Sequence, residues 1–317
     1  MTATFSPPEA EPSQKATSRR GDRIFAGLAR TAGVLILLAL AAVFIFLAAE
    51  GWNGLNAPEA TYRPATDFLG YIGPLVLSTI LAASIAVIVA VPFAIGIALF
   101  ISHYAPRRIA VPMAYVVDLL AAVPSVVFGL WGGRYLAGFL QPAQVWMAEH
   151  LSLLPFFQPP PTPNGRSLFT AGIVLAIMIL PIVTAISREV FAQTPRLHEE
   201  AALALGATRW EMIRYSVFPY ARSGMVSAVM LGLGRALGET MAVAMVLAVS
   251  PVATLNVVGV AAPATIASNI ALNYKEATPS RQSLLIATGL VLFAVTFVVN
   301  FLARWIVGRG ERKQARA

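Results

Sequence analysis

The chain has 317 residues, of which 57% are hydrophobic and only 12% charged. Soluble domains carry about 25% charged residues, so this composition excludes an ordinary soluble domain and points to a membrane protein with several spans. There is no cysteine, which removes disulfides, thiol catalysis and cysteine-based metal sites, and the net charge of +8 comes from basic residues at the ends of apolar runs, as membrane topology requires, rather than from a nucleic-acid-binding face.

Residues 1–21 are rich in Pro, Ser, Thr, Ala and Glu without apolar periodicity and read as a disordered cytoplasmic tail. The first apolar run, 24–49, follows Arg19, Arg20 and Arg23. It is too long for the core of a signal peptide, and its basic flank holds the N-terminus inside. Residues 22–70 therefore comprise a first transmembrane helix and an outside loop. Further spans are predicted at 71–101, 109–133, 168–186, 220–249 and 283–307, each long enough to cross a hydrocarbon core of about 30 Å. A basic tail, 309–317, closes the chain.

The expected fold is an all-α integral membrane protein with six transmembrane helices and both termini cytoplasmic. Lysine and arginine agree with that topology. Five lie in the N-terminal segment, Arg107 and Arg108 in the next inside turn, five in 188–222 and five at the C-terminus; outside are Arg63, Arg134, Arg166, Lys275 and Arg281. His103, His150 and His198 share no metal-ligand spacing and read as interfacial or loop residues. The outside loop 134–167, with Pro155, Pro159, Pro160, Pro161 and Pro163, reads as irregular. The outside stretch 263–277 fits either a short helix facing a binding protein or a plain connecting loop.

Arg235, counted on neither side, stays deep within a span. In Gly232-Leu-Gly-Arg-Ala-Leu-Gly-Glu-Thr-Met-Ala-Val243, Arg235 and Glu239 stand at i, i+4, on one face of what reads as a single continuous helix. An ionisable residue near the bilayer centre costs about 2.5–3.5 kcal/mol, so the pair calls for a reason. Two readings stand: a cation that meets an anionic substrate and is neutralised by the carboxylate between substrates, or a buried ion pair that joins helices. Glutamate C-terminal to its basic partner is the weaker orientation, which favours an intersubunit partner for one of them. Gly232, Gly234 and Gly238 are expected to let helices approach closely. Asp118, six residues before Pro124, is a third buried-charge candidate, to pair with Arg235 or to cap an interrupted helix. Kinks at Pro124 and Pro181 are expected to turn Ser125 and Thr184 toward a pathway.

The inside segment 188–221 is polar and has helical periodicity. Ala201, Ala202 and Leu205 form an apolar stripe, and Gly206 separates two short helices. Helices this short are marginal alone and dock on something, either a partner or the membrane domain itself. Nothing matches the phosphate-binding loop Gly-x4-Gly-Lys-Ser/Thr.

Glu200-Ala-Ala, with Gly206 and Pro219 at fixed spacing beyond it, resembles the EAA loop of binding-protein-dependent ABC-importer permeases, with Ser216 and Phe218 in place of the commoner aliphatics. Asp118-Leu-Leu-Ala-Ala-Val-Pro-Ser-Val-Val-Phe-Gly-Leu-Trp-Gly132, Met178-Ile-Leu-Pro-Ile-Val-Thr184, the Arg235–Glu239 motif and Gly21-Asp-Arg-Ile-Phe25 are together similar to the PstC-type permeases of phosphate importers. The resemblance implies a type I importer permease (MetI-like) fold over 71–308. It further implies a non-catalytic subunit that translocates phosphate by alternating access, with ATP and Mg on a separate ATPase dimer (PstB-like). A second permease (PstA-like) and a phosphate-binding protein (PstS-like) would complete the assembly, in the bacterial inner membrane.

The pathway candidates are Arg235, Glu239, Asp118 and Thr240. Glu200, Ala201, Ala202, Leu205 and Gly206 would couple to the ATPase. Sulfate and molybdate permeases share the Arg-x-Leu-Gly-Glu core, so a permease for sulfate, molybdate or tungstate is the alternative, and the Glu239-Thr240-Met241 continuation favours phosphate. A gradient-driven transporter is the reading from another class, and it gives no reason for the Glu200-to-Pro219 spacing.

Overall fold

The computed structural model describes residues 19–247, 254–260 and 262–314. The tail predicted over 1–21 lies outside the described residues up to position 18, and Arg19 to Gly21 are already helical. The predicted end of the fifth span at 248–249 and the last three residues of the basic tail, 315–317, also lie outside them.

The described chain is helical and without strands; one isolated antiparallel bridge joins Pro161 to Gly259. The elements are α1 (Arg19–Leu55), α2 (Phe68–Leu99), α3 (Arg107–Ala121), α4 (Ser125–Trp131), α5 (Ala137–His150), α6 (Leu168–Ala192), α7 (Arg196–Ala204), α8 (Arg209–Met212), α9 (Phe218–Gly238), α10 (Met241–Val246), α11 (Ile266–Asn273) and α12 (Pro279–Gln314). Helix is the form an apolar run must take in lipid, because it satisfies its own backbone hydrogen bonds. Where a run begins near water, a side chain takes an orphan donor: Asp67 accepts from Gly70 N–H at the start of α2, and Ser167 from Thr170 N–H at the start of α6. Such caps contribute about 1 kcal/mol each.

The chain divides into two compact units, Met1–Phe46 and Leu47–Ala317. In the first, every large apolar residue of α1 from Ile24 to Phe46 is exposed, which suits a helix surrounded by lipid or by another subunit. In the second, α2 and α6 form the main packed pair. Ala82, Ala86, Ala90, Ala94 and Ala98 are all at most 1% exposed. Their spacing of four lays one smooth stripe along α2, and small residues are what permit close helix approach where lipid removes the hydrophobic drive for association. The end of α1 in this unit is fixed to the start of α12 by a Ser283 hydroxyl donating to the Glu50 carboxylate at 2.8 Å.

Four helices are long and apolar enough to cross a membrane, and α3 with α4–α5 makes a further candidate bent by 89°. The predicted third span, 109–133, corresponds to the bent candidate, and the predicted fifth, 220–249, is not among the candidates, so four to five of the six expected spans are found among the described residues. The third bends where Pro124 excludes the helical conformation of Val123, and the fifth ends at Gly238, with Glu239 extended. At Pro181, by contrast, α6 runs through without a break, and Thr184 is fully buried rather than turned toward a pathway. The stretch at 263–277 contains a helix, α11, capped by the Thr265 hydroxyl and with its first four residues buried.

Candidate functional site

Arg235 lies on the exposed face of α9, and its side chain lines an open groove of about 1080 Å³ between α9, α12 and Ile182 of α6. Ser223, Ser227, Leu231 and Arg235 follow one another along α9 at intervals of four residues, so they share one helix face. Phe297, Asn300, Phe301 and Arg304 supply the α12 wall. No acidic residue lines the groove, and Arg235 has no hydrogen-bond or ion-pair partner among the described residues. Its guanidinium is thus a free planar fork of donors, the geometry that matches an oxyanion.

The expected Arg235–Glu239 pair is not formed. An i, i+4 contact needs an unbroken helix, and α9 stops one residue before Glu239. The Glu239 carboxylate, 9% exposed, instead accepts a hydrogen bond from Ala242 N–H at 3.2 Å, at the start of α10. A carboxylate gains more from the unpaired donors and positive dipole of a helix start than from a cation on the wrong face. Thr240 precedes α10 without a side-chain cap bond. Of the three glycines expected to allow close packing, only Gly232 does so: a Cβ there would stand 2.8 Å from Val183, whereas Gly234 and Gly238 face open space.

A residue that the pattern did not single out holds the other end of α10. Arg166, in the loop before α6, donates from Nε to Val246 O at 3.2 Å and from Nη2 to Met245 O at 2.6 Å, so the six-residue helix is clamped by an anion at its N-terminus and a cation at its C-terminus. Close contact with α4 completes the seat: a Cβ at Gly129 would come within 2.7 Å of Ala242 Cα, and one at Gly133 within 2.7 Å of Met245 O. The proline-rich loop is itself tied down. Val257 N–H donates to Phe156 O, Thr162 N–H to Val258 O and Phe169 N–H to Val257 O. Replacing Arg166 by alanine removes two charge-assisted bonds and is expected to destabilise the purified protein by on the order of 3 kcal/mol, read as a lower denaturation midpoint; a lysine there should recover part of the loss.

The segment between α6 and α9 forms two short helices, as its periodicity predicts. Gly206 has φ +88, and the bonds Gly206 N–H to Leu203 O and Ala207 N–H to Ala202 O end α7 in the paired pattern of a glycine C-cap. Thr208 and Glu211 then form a reciprocal capping box that starts α8. The Glu211 carboxyl is held below the usual carboxylate range, first by the Thr208 backbone N–H and then by its hydroxyl. A lowered value means that the box is intact above the ordinary carboxylate pKa and opens only in acid.

Of the apolar stripe, Ala202 packs against the cluster of Phe191, Met212, Ile213 and Val217. Glu200, Ala201 and Leu205 face outward, Leu205 at 89% exposure, beside exposed Leu197 and Trp210. The cluster also takes in Ala98 and Leu99 of α2 and Ala221 of α9, so α7 rests where the ends of α2, α6 and α9 meet. His103 Nε2 lies 3.5 Å from Glu199 Oε1, making the histidine a tether for α7.

Residues 90–311 match the family of binding-protein-dependent transport system inner membrane components. The chain belongs to this family. The permease is 45% identical over 303 residues to the phosphate transport system permease protein PstC 2 of Mycobacterium tuberculosis, a match covering 92% of this chain and 93% of the relative. It is 38% identical over 318 residues to the phosphate transport system permease protein PstC of Mesorhizobium japonicum, covering 95% of each. Among solved structures, a bacterial ABC transporter involved in the import of the acidic polysaccharide alginate shares the fold, with TM-score 0.56 and 15% identity over 90% of this chain and 99% of that one.

Within this permease, Asp118 sits apart from Arg235. It is half exposed and faces Arg188 of α6, Oδ2 to Nη2 at 3.5 Å, so it neither pairs with Arg235 nor caps α4. The partner was legible as a charge but not as a contact, because the two are 70 positions apart and only the packing of α3 on α6 brings them together.

Proposed function

We propose that this permease translocates inorganic phosphate across the cytoplasmic membrane by alternating access, as the membrane subunit of an ATP-driven importer. A soluble binding protein delivers the anion, and a second permease subunit of PstA type completes the path. A separate ATPase dimer, holding ATP and Mg, supplies the drive. This chain contributes no catalytic group. The observation that carries the substrate is the free guanidinium of Arg235 in a groove where no carboxylate is found among the described lining residues. In lipid such a cation is costly, and an oxyanion passing in water is the ligand that its donor fork fits. The PstC relatives named above support phosphate among the oxyanions.

Arg235 is the direct contact in this reading. Glu239 acts on it at one remove, through the position of α10, and Thr240 joins Glu239 to α10. Asp118 keeps a structural role with Arg188. For the drive, the exposed face of Glu200, Ala201, Leu205 and Gly206 fits the ATPase, with Ala202 turned inward to the cluster that joins α2, α6 and α9. Labelled phosphate uptake into proteoliposomes holding the assembled complex tests the reading. Excess sulfate, molybdate or tungstate should leave phosphate uptake unchanged; competition by any of them at equal concentration assigns the permease to that anion instead, and uptake by this chain without an ATPase sinks the importer reading.

A further inference from the structure

The groove that holds Arg235 contains a second cation. Arg304, near the end of the apolar stretch Pro279–Trp305 of α12, lines the same cavity, is exposed, and has no hydrogen-bond or ion-pair partner among the described residues. The two arginines close opposite ends of their own walls. From Ser223 to Arg235 the groove follows α9 for about 18 Å, and from Phe297 to Arg304 it follows α12 for about 10 Å. The coupling segment leads directly into α9, while α12 runs from the outside loop back toward the side of that segment. Arg304 is therefore the last α12 residue of the groove toward the coupling segment, and Arg235 the last α9 residue of the groove toward the opposite side. The two walls carry apolar residues (Met230, Leu231, Phe301) and polar ones (Ser227, Asn300).

We propose that this groove is the inner half of the anion path and that Arg304 is its second phosphate station, receiving the anion from Arg235 before release. The inference rests on the reading of Arg235 as a substrate contact. Two separated cations without a carboxylate between them make a site that is attractive along its length yet tight at no point, which is what passage of an ion through a pore requires. Asn300 provides a neutral amide donor one helical turn before Arg304, and the width of the groove lets the anion keep much of its water. Serving an anion in transit, the Arg304 station needs charge more than a fork, so lysine should replace it well there and poorly at Arg235.

A phosphate group reaches this arginine from two sources, the transported ion or the headgroup of an anionic lipid, since basic residues on the inner side of spans also meet lipid phosphates. The test reconstitutes the complete complex, with binding protein, in vesicles of phosphatidylcholine alone and with added phosphatidylglycerol, and measures phosphate uptake and stimulated ATP hydrolysis. Arg304→Ala should lower maximal uptake by roughly tenfold in both vesicles, with the KM for loaded binding protein unchanged and the ATPase still co-purifying, and Arg304→Lys should restore it. A defect confined to vesicles with phosphatidylglycerol assigns Arg304 to a lipid headgroup and overturns the station. Unchanged uptake by Arg304→Ala also overturns it, and if Arg235→Ala is inactive in the same series, the reading of Arg235 survives. Normal uptake by Arg235→Ala removes the reading on which both rest.

Discussion

Arg235→Ala should reduce phosphate uptake by at least about a hundredfold while the complex still assembles. The size follows from what is lost: charge-assisted hydrogen bonds from one guanidinium are worth about 1.5–3 kcal/mol each, and every 1.36 kcal/mol in a barrier is tenfold in rate. Assembly should survive because Arg235 is exposed and makes no bond to the described residues, so its removal leaves no buried group among them without a partner. Arg235→Lys should fall between the two, keeping the charge and losing the fork. Glu239→Gln separates substrate effects from helix capping, since the amide oxygen can still accept from Ala242 N–H while the negative charge is gone. If Arg235→Ala complexes import at the normal rate, Arg235 is no substrate contact and the groove has another purpose.

The all-α class, most of the apolar spans and the two short helices between α6 and α9 were legible because each is written in one local stretch: composition, run length, and a glycine at the end of a periodic segment. Arg235 was legible as an exception to its surroundings. The relation between Arg235 and Glu239 was not. Spacing alone assumes that the helix continues, and nothing in Leu-Gly-Glu-Thr-Met announces that α9 ends at Gly238. The break becomes intelligible only with α10 in place, because its free N–H groups give the carboxylate a better partner than the arginine. Arg166 was hidden for a related reason: it acts on carbonyl groups some 80 positions away, in a helix the pattern had merged with the span before it. Likewise Asp118 meets Arg188 only through the packing of α3 on α6, a contact that spacing along the chain does not show. Local physics marked the elements and the odd residues. Which odd residues meet depended on breaks and packing that are properties of the whole chain.

The second large effect is expected at Gly206. Its φ of +88 belongs to the region that L side chains avoid, at a cost of about 1–2 kcal/mol and more for a β-branched residue. Yet a Cβ there would meet nothing within 4 Å. Gly206→Val therefore leaves the membrane core untouched and acts on two things only: the turn that ends α7 and the outward surface next to exposed Leu205. If that surface seats the ATPase, the valine should release it: co-purified ATPase per permease should drop by about tenfold, the size of the backbone strain alone, and uptake should fall with it. Gly206→Asn is the control, since asparagine tolerates the left-handed conformation and keeps the turn. Uptake by the asparagine variant close to normal would place the requirement in the backbone; loss in both variants would place it in the bare surface that glycine leaves for the partner. Normal ATPase recovery and normal uptake with valine would detach this segment from coupling altogether. The cluster of Phe191, Met212, Ile213 and Val217 would then be only the place where α7 and α8 rest on the ends of α2, α6 and α9.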